Sequence, residues 1–242
     1  MTGPGRALRG LAGLAVGATA TGLWLSSQGR PTWLADQHTG TGERRRLELD
    51  DGSELILNAG SAVDVEFSAG MRRLRLRNGT LLVSVAPDAG RPFVVATPDG
   101  EVRALGTRFM VGRHEDRSQV IVLQHRVRVE VAGVGGLTVD EGRSAWFDRS
   151  SLSPPVTAVP GAAAWVNGMV SVNDEPLSVV IDALRPYLRA SIHLSADVAG
   201  LRVLGAFPLD AAETALESLE QILPIRVRRY GPWLVTIRRR EG

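Results

Sequence analysis

Cysteine is absent from the 242 residues of this chain, and lysine is absent as well. Without cysteine the chain can form neither disulfides nor thiolate metal sites. This composition fits a cytosolic protein, and it fits equally an exported protein that has no disulfide bonds. The absence of cysteine therefore excludes disulfide bonds and thiolate metal sites, and it does not determine the cellular compartment.

A strong excess of charge is also missing, because the formal net charge is only +2. The sequence pI of about 9.8 reflects the very high pKa of arginine, which provides all 28 basic residues. Many arginines alternate with apolar residues, as Arg73, Arg75 and Arg77 do, which is typical of a solvated strand face. Aromatic residues make up only 5% and form no stacking ladder, so we expect no nucleic-acid partner.

Recognisable catalytic motifs are lacking too. The chain has no G-x-S-x-G elbow, no P-loop and no dinucleotide fingerprint. Its four histidines stand far apart, without the spacing of a metal pair: His38, His114, His125 and His193. We therefore expect no enzyme activity, no catalytic or metal-binding residue and no cofactor. A polysaccharide-active enzyme built from two distant carboxylates is the enzymatic alternative.

One uncharged run is present near the start of the chain, at residues 10–29. Its length matches a helix that crosses about 30 Å of hydrocarbon. Arg6 and Arg9 precede it, so the positive-inside rule places everything after Arg30 outside. We expect a cytoplasmic segment at 1–9, a transmembrane helix at 10–29 and a juxtamembrane linker at 30–38. A cleaved signal peptide and a buried core helix are the alternatives, and the first of these would also export the rest.

From residue 39 to residue 149 the sequence reads as β-strands. Apolar and polar residues alternate, and turn signals such as Asn78-Gly79 recur about every ten residues. This pattern predicts an all-β domain, a sandwich or a β-solenoid-like structure, in which every strand has one polar face.

The central stretch of this region is RPFVVATPDGEVRALGTRFMV, residues 91–111. Two apolar strands flank the turn Pro98-Asp99-Gly100, which predicts a β-hairpin. The return strand continues through Gly106 to Val111. Because a glycine inside a strand often marks a close backbone approach, we expect Gly106 to be a packing position.

The composition changes at residues 150–164, which hold three prolines and no charge. This stretch predicts a linker or a last irregular edge strand. Residues 165–242 then read as strand, helix, strand, strand, helix, strand, strand. Pro176 opens the first helix, and Asp210 with Glu213 forms a capping box before the second. We expect a small α+β domain with two helices on one face of a short sheet.

Several spaced motifs in the β region resemble the periplasmic domain of the FecR family. They are contained in LELDDGSELILN, LRLRNGTLLVSV and the central stretch. The residues that match the family pattern include Gly52, Asn58, Phe93, Gly100, Gly106, Thr107 and Phe109. Residues 165–240 resemble the short N-terminal domain shared by secretins and TonB-dependent receptors.

The FecR resemblance implies a single-pass inner-membrane regulator of cell-surface signalling. Its periplasmic part would bind the signalling domain of a TonB-dependent outer-membrane receptor, often one that imports ferric siderophore. The signal would pass to an extracytoplasmic-function sigma factor. Familiar members carry a cytoplasmic sigma-binding domain before the span, whereas only residues 1–9 precede it here. We expect a start codon further upstream, a separate cytoplasmic chain, or a protein that keeps only the sensing half.

The terminal hairpin is the candidate partner-binding surface, with Arg226, Arg228 and Trp233 as its residues. A free edge strand can accept a partner's strand, and arginine and tryptophan are favoured interface anchors. Two plainer interpretations stay open: edge arginines keep strands soluble, and Trp233 is in phase with core positions. A membrane-tethered envelope scaffold is the alternative function.

Overall fold

The computed structural model describes residues 35–104 and 106–240. Strands make up 51% and helices 15%, which confirms the prediction of a mainly β protein. The predicted transmembrane helix at 10–29 and the segments beside it up to residue 34 lie outside the described residues. Within the described ranges, no helix has the length and apolar character that crossing a bilayer requires.

The first sheet has seven strands, numbered like all others in chain order. Its spatial order is β1 (Gln37–His38), β4 (Ala62–Phe67), β5 (Arg72–Asn78), β7 (Phe93–Thr97), β8 (Gly100–Ala104), β11 (Arg126–Val131) and β12 (Gly135–Asp140). Neighbours are antiparallel except β5 and β7, which run parallel. β7 and β8 form the hairpin that the central stretch predicts.

The second sheet also has seven strands, and all its neighbours are antiparallel. Its order is β14 (Val156–Thr157), β13 (Arg143–Phe147), β10 (Arg117–Gln124), β9 (Arg108–His114), β6 (Thr80–Ser84), β3 (Glu54–Leu57) and β2 (Arg45–Glu48). β14 comes from the proline-rich stretch, which thus supplies an edge strand.

One hydrophobic core lies between the two sheets. Leucines, valines and phenylalanines of both sheets fill it, and the largest are Phe93, Phe109 and Phe147, each at most 1% exposed. Because both sheets turn one face into the same core, the domain is a β-sandwich rather than a solenoid.

The outer faces of the two sheets differ. In the first sheet, strands such as β11 alternate strictly between buried and exposed residues. In the second sheet, β3, β6, β9 and β10 each carry three consecutive buried apolar residues. The prediction of one polar face on every strand is therefore wrong for these four strands, and it is also wrong for β7 in the first sheet, where Phe93 to Ala96 are all buried. Strands buried on both faces need continuous apolar runs.

The C-terminal unit has two small sheets. One pairs β15 (Met169–Pro176) with β17 (Arg202–Pro208), and the other has the order β16 (Ser191–Leu194), β19 (Leu234–Arg239), β18 (Ile225–Tyr230). The helices are α1 (Leu177–Leu184), α2 (Ala196–Ala199) and α3 (Ala212–Ile222), with 3-10 turns at Ala164–Asn167 and Arg185–Tyr187. The expected single sheet with two helices is thus replaced by two sheets and a third, short helix.

This unit packs on the outer face of the second sheet. Its hydrophobic core is continuous with Ile56, Leu82, Met110 and Ile121, which point away from the sandwich interior. The indole Nε1 of Trp165 lies 2.9 Å from the Sδ of Met110. The sandwich and the α+β unit therefore share a buried apolar interface.

The predicted capping box at Asp210 and Glu213 does not form. α3 begins at Ala212 after Ala211, and no side chain caps it. The Asp210 carboxylate instead accepts two hydrogen bonds from Arg44, at 2.8 and 2.9 Å. Both carboxylate oxygens of Asp210 are thus engaged by the guanidinium of Arg44. This pair lies at the rim of the interface between sandwich and C-terminal unit.

Gly106 is not a close-packed position. After β8 the chain leaves the first sheet, and β9 belongs to the second, so the return strand is not continuous. Gly106 has a φ of 71°, and a Cβ built on it would come no closer than 3.9 Å to Pro87. Glycine is needed at this position because the backbone has a positive φ, which glycine adopts without steric cost. The close approach is at Gly100, whose Cβ would lie 2.8 Å from the carbonyl oxygen of Glu130.

Candidate partner-binding surface

The turn that contains Gly52 is tied to the sandwich interior by a buried arginine. The guanidinium of Arg72 is fully buried and donates to Asp51 Oδ2 at 2.7 Å and to the carbonyl oxygens of Ala86 and Arg91 at 2.9 Å. It lies 5.4 Å from the ring centroid of Phe93. These contacts fasten the turn to the segment before β7, so this part of the motif supports the fold.

The ionisation of Asp51 reflects the same contacts. Burial alone would raise the pKa of the Asp51 carboxyl, but hydrogen bonds from Ser53 and Arg72 outweigh it and hold the pKa below its usual value. The carboxylate is therefore charged at neutral pH, and it forms a buried ion pair with Arg72.

Asn58 connects the sandwich to the C-terminal unit. Its amide oxygen accepts a hydrogen bond from the hydroxyl of Tyr187, and that hydroxyl also lies 3.3 Å from Arg44 Nη1. Nearby, the amide of Gly42 donates to the carbonyl of Pro186 at 3.0 Å. The rim of the interface is thus polar around an apolar centre.

The motif residues after β8 join the two sheets. The carbonyl oxygen of Gly106 lies 2.9 Å from His125 Nδ1, and the carbonyl oxygen of Thr107 accepts from the Val85 amide at 2.9 Å. Thr107 is 4% exposed, and its hydroxyl has no hydrogen-bond partner among the described residues. Phe109 is in the sandwich core. Every motif residue therefore lies in the interior, in a turn or at the internal interface.

The predicted partner-binding residues belong to the last hairpin of the C-terminal unit: Arg226 and Arg228 lie on β18, and Trp233 lies in the turn before β19. β18 is an edge strand, and its register with β19 places Arg226 opposite Arg238, Arg228 opposite Thr236, and Tyr230 opposite Leu234. On the far side of β19, parallel β16 places Ser191 beside Leu234 and His193 beside Thr236. Because paired residues share one face of a sheet, these eight side chains form a single face, which we call the arginine face.

The edge of β18 is partly occupied. A carboxylate oxygen of Glu220 accepts the amide of Val227 at 3.2 Å, and Arg240 Nε lies 3.3 Å from the carbonyl oxygen of Ile225. Strand addition at this edge would have to displace these side chains. The face of the sheet is therefore the more accessible surface.

Trp233 is not a core residue. It is 75% exposed, and it lies in the turn just before β19, whose Val235 and Ile237 are buried. The alternation of buried and exposed residues along β19 does not extend to Trp233, because this residue precedes the strand. Tyr230 is 53% and Leu234 is 37% exposed, so an apolar patch borders the arginine face. Large exposed apolar side chains that lie together indicate an interaction surface.

The chemistry of this surface suits binding. Within residues 35–104 and 106–240, no group of three histidine or acidic side chains could hold a metal ion. A shallow cavity beside the arginine face is lined by Glu217, Glu220 and Arg226 among others. Glu220 is engaged with the backbone of Val227 and lies 3.8 Å from Arg226 Nε. The surface thus offers arginine cations and exposed aromatic rings to a partner.

The fold and the surface together define a class: a β-sandwich with an α+β unit packed on one sheet, and a basic face on the last hairpin of that unit. Residues 35–128 match the family model described as FecR protein. This match covers part of the sandwich and does not extend to the C-terminal unit.

Two crystal structures of a proposed anti-sigma factor from Parabacteroides distasonis ATCC 8503 are similar to this chain. They match with TM-scores of 0.72 and 0.71 at 22% sequence identity, and the match covers 84% of this chain and 98% and 97% of theirs. The sandwich alone cannot account for such coverage, so the likeness in fold includes the α+β unit. No curated protein sequence matches the chain.

Proposed function

We propose that this protein is a membrane-anchored periplasmic regulator of cell-surface signalling without enzymatic activity. Its C-terminal unit binds the signalling domain of a TonB-dependent outer-membrane receptor. The signal passes to an extracytoplasmic-function sigma factor, and the regulated process is iron or siderophore uptake. The FecR domain at residues 35–128 supports the regulatory role. A fold shared with a proposed anti-sigma factor adds to that support.

The observation that carries the proposal is the arginine face with its exposed Trp233. Another part of the C-terminal unit is buried against the second sheet of the sandwich. The arginine face is one of the surfaces of this unit that stay exposed, and a partner can contact it. Exposed arginine and tryptophan side chains are favoured anchors of protein interfaces.

The membrane anchor is proposed from the sequence alone, and the link to a sigma factor is proposed from the resemblance of the sequence to the FecR family. The uncharged run at residues 10–29 follows two arginines, which favours an inner-membrane helix with the FecR domain on the periplasmic side. A binding unit held on that side can receive a signal from the outer membrane without catalysing a reaction.

The test is a calorimetric titration of the full-length chain in detergent. The titrant is the purified N-terminal signalling domain of a TonB-dependent receptor encoded beside this gene. We expect binding with a dissociation constant of about 1–10 µM, as befits a reversible relay. A secretin N-terminal domain serves as the control. No heat with the receptor domain at high micromolar concentration would contradict the proposal, and binding of the secretin domain alone would favour an envelope scaffold.

A further inference from the structure

We infer that the arginine face recognises an acidic protein surface, one whose carboxylates match the rows formed by Arg226, Arg228 and Arg238. This inference rests on the proposed function, because it names the chemistry of the partner that binds there. Four features of the structure support it. They are the spacing of the three arginines, the shortage of carboxylates near them, a comparable but neutralised row of arginines on the sandwich, and the neighbouring apolar patch.

The first feature is the spacing of the positive charges. Arg226 and Arg238 are directly opposite each other on β18 and β19. Directly opposed residues lie about 5 Å apart, and like charges in this arrangement destabilise a sheet. Arg228 follows Arg226 on the same face, two residues or about 7 Å further along the strand. The face therefore holds three cations in an arrangement that is unfavourable for the isolated protein.

The second feature is that two of these three charges, Arg228 and Arg238, are left without counter-ions in the described residues. Arg228 and Arg238 form no ion pair or hydrogen bond within the described part of the chain, and Arg226 reaches Glu220 only at 3.8 Å. On the same two strands, Arg229 pairs with Glu213 at 2.6 Å and Arg239 pairs with Asp197 at 3.4 Å. The missing carboxylates are thus a property of the open face and not of the whole hairpin.

The third feature is a comparable set of arginines on the sandwich, whose charges are neutralised. β5 carries a similar row of outward arginines, and carboxylates of other strands in the same sheet neutralise it. The ion pairs are Arg73 with Glu101 at 2.9 Å, Arg75 with Glu66 at 3.0 Å, and Arg77 with Asp64. Asp64 and Glu66 alternate along β4 with the same two-residue spacing. Carboxylates at this spacing on a partner that lies against the arginine face would neutralise its arginines as β4 and β8 neutralise those of β5.

The fourth feature is the apolar patch of Tyr230, Trp233 and Leu234 at one end of the face. Exposed aromatic residues near cations favour a protein occupant, because aromatic and arginine side chains are the commonest hot spots of protein interfaces. The planar guanidinium groups suit carboxylates, which they can bind through two parallel hydrogen bonds. The occupant we infer is therefore an acidic protein surface with an apolar pocket for Trp233.

The test compares charge-reversal variants of the full-length chain in the titration with the receptor signalling domain. In the first variant, Arg228→Glu is combined with Arg238→Glu. The matched control combines Arg103→Glu with Arg189→Glu, since those two arginines are also exposed and have no ion pair among the described residues. Circular dichroism and thermal melting establish that both variants remain folded.

We expect the first variant to bind at least ~10-fold more weakly and the control to bind like the wild type. We also expect wild-type binding to weaken roughly tenfold between about 0.05 and 0.5 M salt, because screening reduces attraction between exposed charges. The salt dependence should largely disappear in the first variant.

The other possible outcomes of the titration contradict the inference, and they can be told apart. If the receptor domain binds the first variant as tightly as the wild type, the acidic-surface inference is wrong while the proposed function stands. If the receptor domain binds no variant, the proposed function fails. Phosphatidylglycerol vesicles then serve as the second probe: binding that the first variant loses would assign the face to an anionic membrane, and no binding would remove its recognition role.

Discussion

The two sheets of the sandwich have the same number of strands and share one core, but their outer faces differ in chemistry. The first sheet carries a ladder in which Arg73, Arg75 and Arg77 pair with carboxylates, and the Arg75 pair is the most exposed of the three. The second sheet presents Ile56, Leu82, Met110 and Ile121, which the C-terminal unit covers. One sheet therefore meets water and the other serves as an internal docking surface.

This difference determines how the molecule can present its C-terminal unit. A buried apolar interface with a polar rim holds the unit on the second sheet, and at this rim Arg44 pairs with Asp210. The hydrogen bond of Asp210 with Arg44 keeps the pKa of the Asp210 carboxyl below its usual value. The arginine face therefore has a fixed position relative to the sandwich, as a surface that passes on a signal requires.

The largest expected effect comes from a charge placed in the covered outer face. Leu82 is fully buried on β6, so Leu82→Asp would lose its apolar burial and leave an unpaired carboxylate between sandwich and C-terminal unit. We expect a loss of about 5 kcal/mol in the free energy of unfolding, or failure to fold. Urea denaturation measures it, with Leu82→Met as the volume-conserving control. A loss below about 1 kcal/mol would contradict the interface.

A smaller effect is expected at the buried ion pair beneath the first sheet. Arg72→Met would leave Asp51 buried without its counter-charge and should cost about 3 kcal/mol at pH 7. Adding Asp51→Asn should restore part of that loss. Stability from the lowered pKa of Asp51 is present above the unfolded pKa of about 4 and is lost as the pH falls through the folded value.

The cost of Arg72→Met should therefore shrink below about pH 4, where the unfolded carboxyl is protonated. Urea unfolding of the wild type and the variant at several pH values measures this change. A cost that is the same at pH 3 and pH 7 would show that the guanidinium contributes by packing against Phe93 and not by charge.

The smallest effect is expected on the open face of the first sheet. Arg75 and Glu66 are both more than 40% exposed, so Arg75→Ala should cost no more than about 0.5 kcal/mol, and less at high salt. The same urea titration measures this change in stability. A cost near that of Leu82→Asp would mean that the two outer faces do not differ in the way described.

Much of the sandwich could be predicted from the sequence, because alternation and turn signals are local. The hairpin of β7 and β8 is an example. The apolar triplets in β3, β6, β9 and β10 also carried a signal for strands buried on both faces, and the prediction of one polar face per strand missed it.

Other features depended on contacts that no local pattern contains. Asp210 has the spacing of a capping residue, but its carboxylate pairs with Arg44, which is distant in sequence. Trp233 is in phase with the buried Val235 and Ile237, but it lies beyond the end of β19, in the turn. The partner-binding role of Arg226, Arg228 and Trp233 stays a prediction, since the structure describes their position and not their partner.

The most direct test is hydrogen–deuterium exchange of the full-length chain with and without the receptor signalling domain. We predict that the receptor domain slows exchange in the hairpin of β18 and β19. The strands β3, β6, β9 and β10 should exchange slowly in both samples, because the C-terminal unit already covers them. Protection on the second sheet only when the receptor domain is present, with none at the hairpin, would contradict the account.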